Sequence, residues 1–348
     1  MTNAAAAWAI VAGTAFVSAL VAVRLVERHA SRLRLLDLPN SRSSHVETRP
    51  RGGGLGIVIG VVIASAVGTL TGAVVWPDPT RLVLVSALLV AFVGLWDDVR
   101  GLGIWPRLLV QTIAAVVVLA GVGGFDRVPL PAPADIPLGG AGALLAVLWL
   151  VGVTNFFNFM DGVDGLAGGQ AVISLGVFAW VLWPHPAAGL ALIVVAATAA
   201  FVTRNWSPAK IFLGDVGSAF LGFLLAAVPL AGPPELRAEL VFLIAISLTL
   251  FLLDPVVTLF VRGRKRATLG AAHREHAYQQ LVEPGRGHAV PVIVLLSVGL
   301  ALALVAAAAL ERPVLGWPAV GLALIAFMVE WQIATRVRKR HLELRTKF

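Results

Sequence analysis

The stretch Asn155–Gly169 reads NFFNFMDGVDGLAGG and follows the almost unbroken apolar run GALLAVLWLVGVT. Two Asn and two Asp (Asn155, Asn158, Asp161, Asp164) therefore stand at the end of a lipid-soluble segment. Similar surroundings hold Asp97 and Asp98 in GLWDDVRGLG, Asp215 in KIFLGDVGSAFLG and Asp254 in FLLDPVV. Burying an unpaired carboxylate costs on the order of several kcal/mol, so acids embedded in Gly and apolar residues point to a shared task. Carboxylate and amide oxygens suit Mg²⁺, which takes hard oxygen ligands and keeps positions open for substrate phosphates. The accompanying Gly residues permit tight turns whose freed backbone amides can face phosphate oxygens. No GxxxxGK[ST] sequence is present, which argues against a P-loop ATPase.

An anionic substrate also requires cations. Asp37–Ile57, DLPNSRSSHVETRPRGGGLGI, offers Arg42, His45, Arg49 and Arg51 ahead of a triple Gly. HREHAYQQL, downstream of the basic run RGRKR, offers His273, Arg274 and His276. For either His of that pair alone, a surface or capping role is the simpler reading. Together with Arg274 they suit a diphosphate better than a metal, since neither Cys nor a third nearby His completes a zinc site.

The elements that must carry these residues follow from composition. With 58% hydrophobic residues, 13% charged and a mean hydropathy of +0.89 over 348 residues, the chain reads as an all-α, polytopic integral membrane protein. A helix crosses the hydrocarbon core with roughly 20 apolar residues. On that measure about eleven transmembrane helices are expected, near 4–23, 54–76, 81–96, 107–123, 139–157, 166–183, 187–203, 212–231, 237–261, 290–309 and 314–333. Only WPHP divides the sixth from the seventh, and a re-entrant hairpin would give similar text. The first run lacks a positive n-region and a small-residue cleavage site, so a retained helix is expected rather than a cleaved signal peptide.

Lys and Arg then sort by side: 23 of the 27 fall in segments 24–53, 97–107, 204–211, 262–289 and 334–348, and only Arg81, Arg127, Arg237 and Arg312 fall opposite. The positive-inside rule makes the N-terminus outside and the C-terminus cytoplasmic. The net charge of +8 is accordingly read as topology and attraction to anionic headgroups rather than nucleic-acid binding. The chain is expected to form a single transmembrane catalytic domain over 1–348, with loops 24–53, 97–107, 155–165, 204–211 and 262–289 making the active-site face.

In order, DLPNSRSSH, RPRGGG, GLWDD, NFFNFMDGVDGLAGG, FLGDVGS and the His-containing loop span nearly the whole chain. On these motifs the sequence resembles the polyprenyl-phosphate N-acetylhexosamine-1-phosphate transferases, which include the phospho-MurNAc-pentapeptide and GlcNAc-1-phosphate transferases. The resemblance implies a Mg²⁺ enzyme, with Mn²⁺ as an alternative ion. Such an enzyme moves a sugar 1-phosphate from a UDP-N-acetylamino sugar to polyprenyl phosphate and releases UMP. The location implied is the inner (cytoplasmic) membrane, with the active site on its cytoplasmic side, and a homodimer is compatible with it.

Carried over by position, the resemblance gives Asp215 and Asn158 to the metal, and Asp161 and Asp164 to the positioning of nucleotide and metal. It gives Asp97 and Asp98 to the acceptor phosphate. Asn155, His45, Arg51, Asp254, His273, Arg274 and His276 fall to substrate binding. HREHAYQ departs from the HHH and HxHH forms of that loop, which suggests initiation of O-antigen or a related polysaccharide on another N-acetylated amino sugar.

A phosphate monoester with a second pKa near 6 is already mostly dianionic at pH 7. Direct in-line attack is therefore favoured over double displacement through a phosphorylated Asp, with Asp97 or Asp98 orienting the acceptor or removing its residual proton. A secondary transporter of an anionic substrate would place polar residues near the bilayer midplane in repeated halves, and no such repeat is visible. An intramembrane aspartyl protease is resembled only superficially by FLGD, and a CDP-alcohol phosphotransferase uses a differently spaced motif. An apolar groove between helices is expected beside the acids, as a path for the lipid tail.

Overall fold

The computed structural model describes residues 2–37, 48–266, 274–282 and 288–345, with side chains of 2–5 and 341–345 left aside. His45 and His273 lie outside the described residues. In hydrocarbon every backbone polar group must be satisfied within the segment, and the apolar runs accordingly fold as helices. These are α1 (Thr2–His29), α2 (Gly53–Leu70), α3 (Asp78–Arg100), α4 (Ile104–Val122), α5 (Ala141–Phe159), α6 (Leu166–Leu182) and α7 (Pro186–Asn205). They continue as α8 (Gly214–Ala227), α9 (Arg237–Ser247), α10 (Thr249–Arg264), the short α11 (Ala277–Gln280), α12 (Ala289–Glu311) and α13 (Gly316–Arg345).

Among the described residues nine helical segments are long and apolar enough to cross a membrane, and two of the eleven expected spans differ in form. The ninth run is a broken pair: α9 and α10 bend by 69°. The break is satisfied internally, because Gln170 Nε2 donates to Ser247 O at 2.8 Å and Ser247 Oγ donates to Ser174 Oγ at 2.9 Å. Helix α6 has 17 residues, about 25 Å of rise against a core of about 30 Å.

Helix α8 is the axis of the bundle. All its residues from Val216 to Ala227 are buried, and it packs against α3, α5 and α2. The α2 contact is backbone on backbone: a Cβ on Gly54 would stand 2.1 Å from Gly217 Cα. Helices α1, α2 and α7 pack together on one flank, while α12 packs against α6 and α9. At the end that carries the α4–α5 loop, Arg127 pairs with Asp135 at 3.0 Å and with Glu239 of α9, fastening that loop to the bundle.

The opposite end is drawn together by a small two-stranded sheet, β1 (Leu36–Asp37) antiparallel to β2 (Arg49–Pro50). The chain after β2 is zipped to the approach of α8: Phe212 N donates to Pro50 O, Gly53 N to Phe212 O and Gly54 N to Leu213 O, each at 2.9 Å. Gly214 turns the chain into α8 with φ 77°. A Cβ there would meet Asp98 Oδ2 at 2.7 Å and Gly52 N at 2.9 Å. Gly214→Ala is therefore expected to destabilise the fold by about 2 kcal/mol or more, read as thermal unfolding in detergent. A transition unchanged from the parent would show that this turn relaxes freely.

Candidate active site

The C-terminal ends of α3 and α5, the α5–α6 turn, the N-terminal end of α8 and the segment 274–282 wall one cavity of about 300 Å³. Asp98, Asn158, Asp161, Asp164 and Asp215 all line it, together with Arg51 and Arg274. Motifs more than a hundred residues apart thus converge on one cavity.

Each carboxylate has a distinct setting. Asp98, 1% exposed, does not stand free: Oδ1 accepts from Asp215 N at 3.1 Å and Oδ2 from Val216 N at 2.9 Å. It caps the positive end of α8 from a neighbouring helix, a charge-assisted use of a helix N-terminus. Arg51 donates to the Asp98 carbonyl and lies 3.8 Å from its carboxylate. Asp97 points elsewhere and does not line the cavity, since Arg107 Nη1 donates to its Oδ2 at 2.6 Å and Leu102 N donates to its Oδ1. Both tandem acids thus engage protein donors, Asp98 from the cavity lining and Asp97 from outside it.

Asp215 Oδ1 accepts from Asn158 Nδ2 at 2.6 Å and lies 3.8 Å from Arg107. The same amide nitrogen donates to Ser218 Oγ at 2.7 Å, so holding one ion between Asn158 and Asp215 requires the amide turned to present its oxygen. Burial, then the charges of Asp215, Asp98 and Asp164, hold the Asp161 carboxyl well above the usual range. Burial also pushes Asp164 upward. The His288 contact at 3.5 Å, the Ala209 N–H at 3.0 Å and the charges of His288 and Arg49 outweigh that and leave it below its ordinary value.

Crowded carboxylates of this kind are relieved by a divalent cation, and an all-oxygen donor set suits a hard one. Among the described residues no three His, Asp or Glu side chains are grouped to hold a metal by themselves. The residues fit an ion that takes further ligands from outside the protein rather than a closed protein cage. Among the described residues Nε of Arg51, 3.8 Å from Asp98 Oδ1, and Nε of Arg107 are buried and meet no acceptor at hydrogen-bond distance.

Asn155 lies one turn deeper than Asn158. It donates to Gln111 Oε1 at 2.6 Å and lines a second, smaller cavity with Arg107, Asn158 and Asp215. Asp254 and His276, expected at the substrate, sit behind the main cavity: Asp254 is fully buried, His276 is 4% exposed, and they meet at 3.2 Å. Arg107, Asn205, Ser218, Gln279 and His288 were not singled out by sequence. Ser218 was within reach of that reading, one turn after Asp215 in the FLGDVGS motif. Arg107 was counted only toward topology, and Asn205, Gln279 and His288 carry no local signature.

The sequence model of glycosyl transferase family 4 matches residues 80–232. A protein of Bacillus subtilis (strain 168) named "Probable undecaprenyl-phosphate N-acetylglucosaminyl 1-phosphate transferase" is 30% identical over 287 residues, 80% of this chain and 78% of that protein. The decaprenyl-phosphate N-acetylglucosaminephosphotransferase of Mycobacterium tuberculosis (strain ATCC 25618 / H37Rv) is 31% identical over 324 residues, covering 84% and 80%. A phospho-N-acetylmuramoyl-pentapeptide-transferase of Lactiplantibacillus plantarum is 33% identical over 214 residues, covering 56% of this chain and 66% of its own.

Proposed function

The chain belongs to glycosyl transferase family 4, and from that premise we propose that it transfers an N-acetylamino-sugar 1-phosphate from a UDP-sugar to polyprenyl phosphate, releasing UMP. The observation that carries this reading is one cavity lined by five acids from four sequence motifs together with Arg51 and Arg274. The two relatives matched over most of their length carry N-acetylglucosamine in their names, so UDP-GlcNAc is the first donor to try. The product would begin a cell-envelope polysaccharide, O-antigen among the candidates. The 23 basic residues gathered on one side support a site at the cytoplasmic face of the inner membrane, where a soluble donor meets a lipid phosphate.

Asp215 and the Asn158 amide oxygen would hold Mg²⁺, with Asp161 alongside. When bound, that ion neutralises the pyrophosphate charge that would otherwise repel a dianionic acceptor. Arg51 and Arg274 bind and orient phosphate oxygens from the cavity wall. An acceptor oxygen forms its bond to the sugar-bearing phosphorus as the bond to the UMP oxygen breaks, in line. Asp97 and Asp98 hold Arg107 and the start of α8 in place. The acceptor, largely dianionic at pH 7, needs no protein base.

Purified protein incubated with polyprenyl phosphate, Mg²⁺ and a panel of UDP-N-acetylamino sugars is expected to release UMP only when the lipid is present. No UMP from any donor would overturn the reading, and substrate flux in proteoliposomes without UMP would move it to a transporter. Radiolabelled UMP is expected not to exchange into UDP-sugar without lipid, and exchange would establish a two-step route.

A further inference from the structure

The residues of segment 274–282 divide between two tasks. Arg274 and Gln279 line the cavity, whereas His276 and Tyr278 meet the buried Asp254 of α10. A carboxylate with no exposure at a membrane-embedded position has to be satisfied by neighbouring polar groups, and among the described residues three meet Asp254. Thr258 Oγ1 donates to Oδ1 at 2.9 Å, His276 Nδ1 lies 3.2 Å from Oδ1, and Tyr278 N donates to Oδ2 at 3.1 Å. The His276 ring lies between Phe159 and Tyr278, with centroids at 6.3 and 5.9 Å.

Tyr278 then reaches beyond this anchor. Its hydroxyl, in a fully buried side chain, donates to Phe159 O at 2.9 Å, at the last residue of α5. Phe159 stands between Asn158 and Asp161, and Gly162 lies so close that an added Cβ would be 2.4 Å from the Tyr278 oxygen. A line of contacts therefore runs from Asp254 through Tyr278 to the backbone that carries two cavity-lining groups. Asp254, Tyr278 and Phe159 do not themselves line the cavity, although Gly162 and Gln279 beside the Tyr278 hydroxyl do.

We infer that Asp254 and Tyr278 are positioning residues: a buried strut from α10 that sets where the end of α5 presents Asn158 and Asp161, while holding Arg274 and Gln279 opposite them. The kinetic part of this inference rests on the proposed transfer reaction; the geometric part does not. Small displacements of groups around a reacting centre lower turnover more than they lower ground-state binding.

The test uses the full-length protein in detergent. Tyr278→Phe removes the hydroxyl, with its bond to Phe159 O and its contacts to Gly162 and Gln279, and keeps the ring. It is expected to speed hydrogen–deuterium exchange severalfold in peptides covering 155–165 and to lower kcat about tenfold, with KM for the UDP-sugar changed less than about twofold. Asp254→Asn, which keeps the volume and turns one acceptor into a donor, is expected to do the same more strongly. Because Asp254→Asn could fail to fold, the decision rests on Tyr278→Phe.

A folded Tyr278→Phe protein with parental exchange over 155–165, with parental kcat, or with only KM raised would overturn the positioning role. If the parent protein itself releases no UMP, the transfer reaction falls. The exchange experiment alone then decides whether the strut sets the end of α5.

Discussion

Asp215→Asn is expected to lower turnover at least about a hundredfold while leaving the unfolding transition in detergent close to that of the parent protein. Asp215 lines both cavities, accepts from Asn158 and lies within reach of Arg107, so its charge stands where the two cavities meet. Asn preserves the shape and one carbonyl oxygen, which isolates the loss of charge. The fold has no comparable stake in that side chain, because α8 is capped by Asp98 and not by Asp215 itself. Asp161→Ala is expected to fall in the same range, since Asp161 lines the cavity beside Asp215. UMP release at near-parental rates in both variants would remove the site from this end of the bundle.

Asp98→Ala is expected to act on stability first, destabilising the protein by about 3 kcal/mol. Two backbone N–H groups at the buried start of α8 would lose their acceptors, and each unsatisfied group costs about 1–3 kcal/mol. Arg51 would lose its carboxylate neighbour as well. Asp98→Asn keeps one acceptor and is expected to cost roughly half as much. Thermal unfolding in detergent reads both. A fully stable Asp98→Ala protein with abolished turnover would return Asp98 to the reacting atoms and contradict its reading as a helix cap.

These two variants mark how far the sequence could be read. The acids were legible because Asp is expensive at a membrane boundary and unnecessary for topology, so Asp161, Asp164 and Asp215 stood out against Gly and apolar residues. The helices were legible because apolar run length fixes them. Division of labour among the acids was not. Whether a carboxylate faces a cavity or accepts backbone N–H bonds depends on its rotation about its own helix and on what packs there. Asp97 and Asp98, adjacent in sequence, consequently hold Arg107 and α8 respectively. The resemblance assigns Asp254 and His276 to the substrate, but in the fold they meet each other at 3.2 Å, and neither lines the main cavity. At the 69° bend between α9 and α10, side chains of α6 bond to Ser247, a long-range relation absent from any local window.

The burial of α8 on every side bears on how the molecule is made. A segment with no lipid-facing surface gains little from the bilayer as solvent and must find its neighbours to be stable. Its three principal receptors, α2, α3 and α5, all precede it in the chain, so synthesis from the N-terminus lays down the socket, Asp98 included, before the plug emerges. Insertion order and assembly order coincide at the helix that brings the last acid, Asp215, into the cavity.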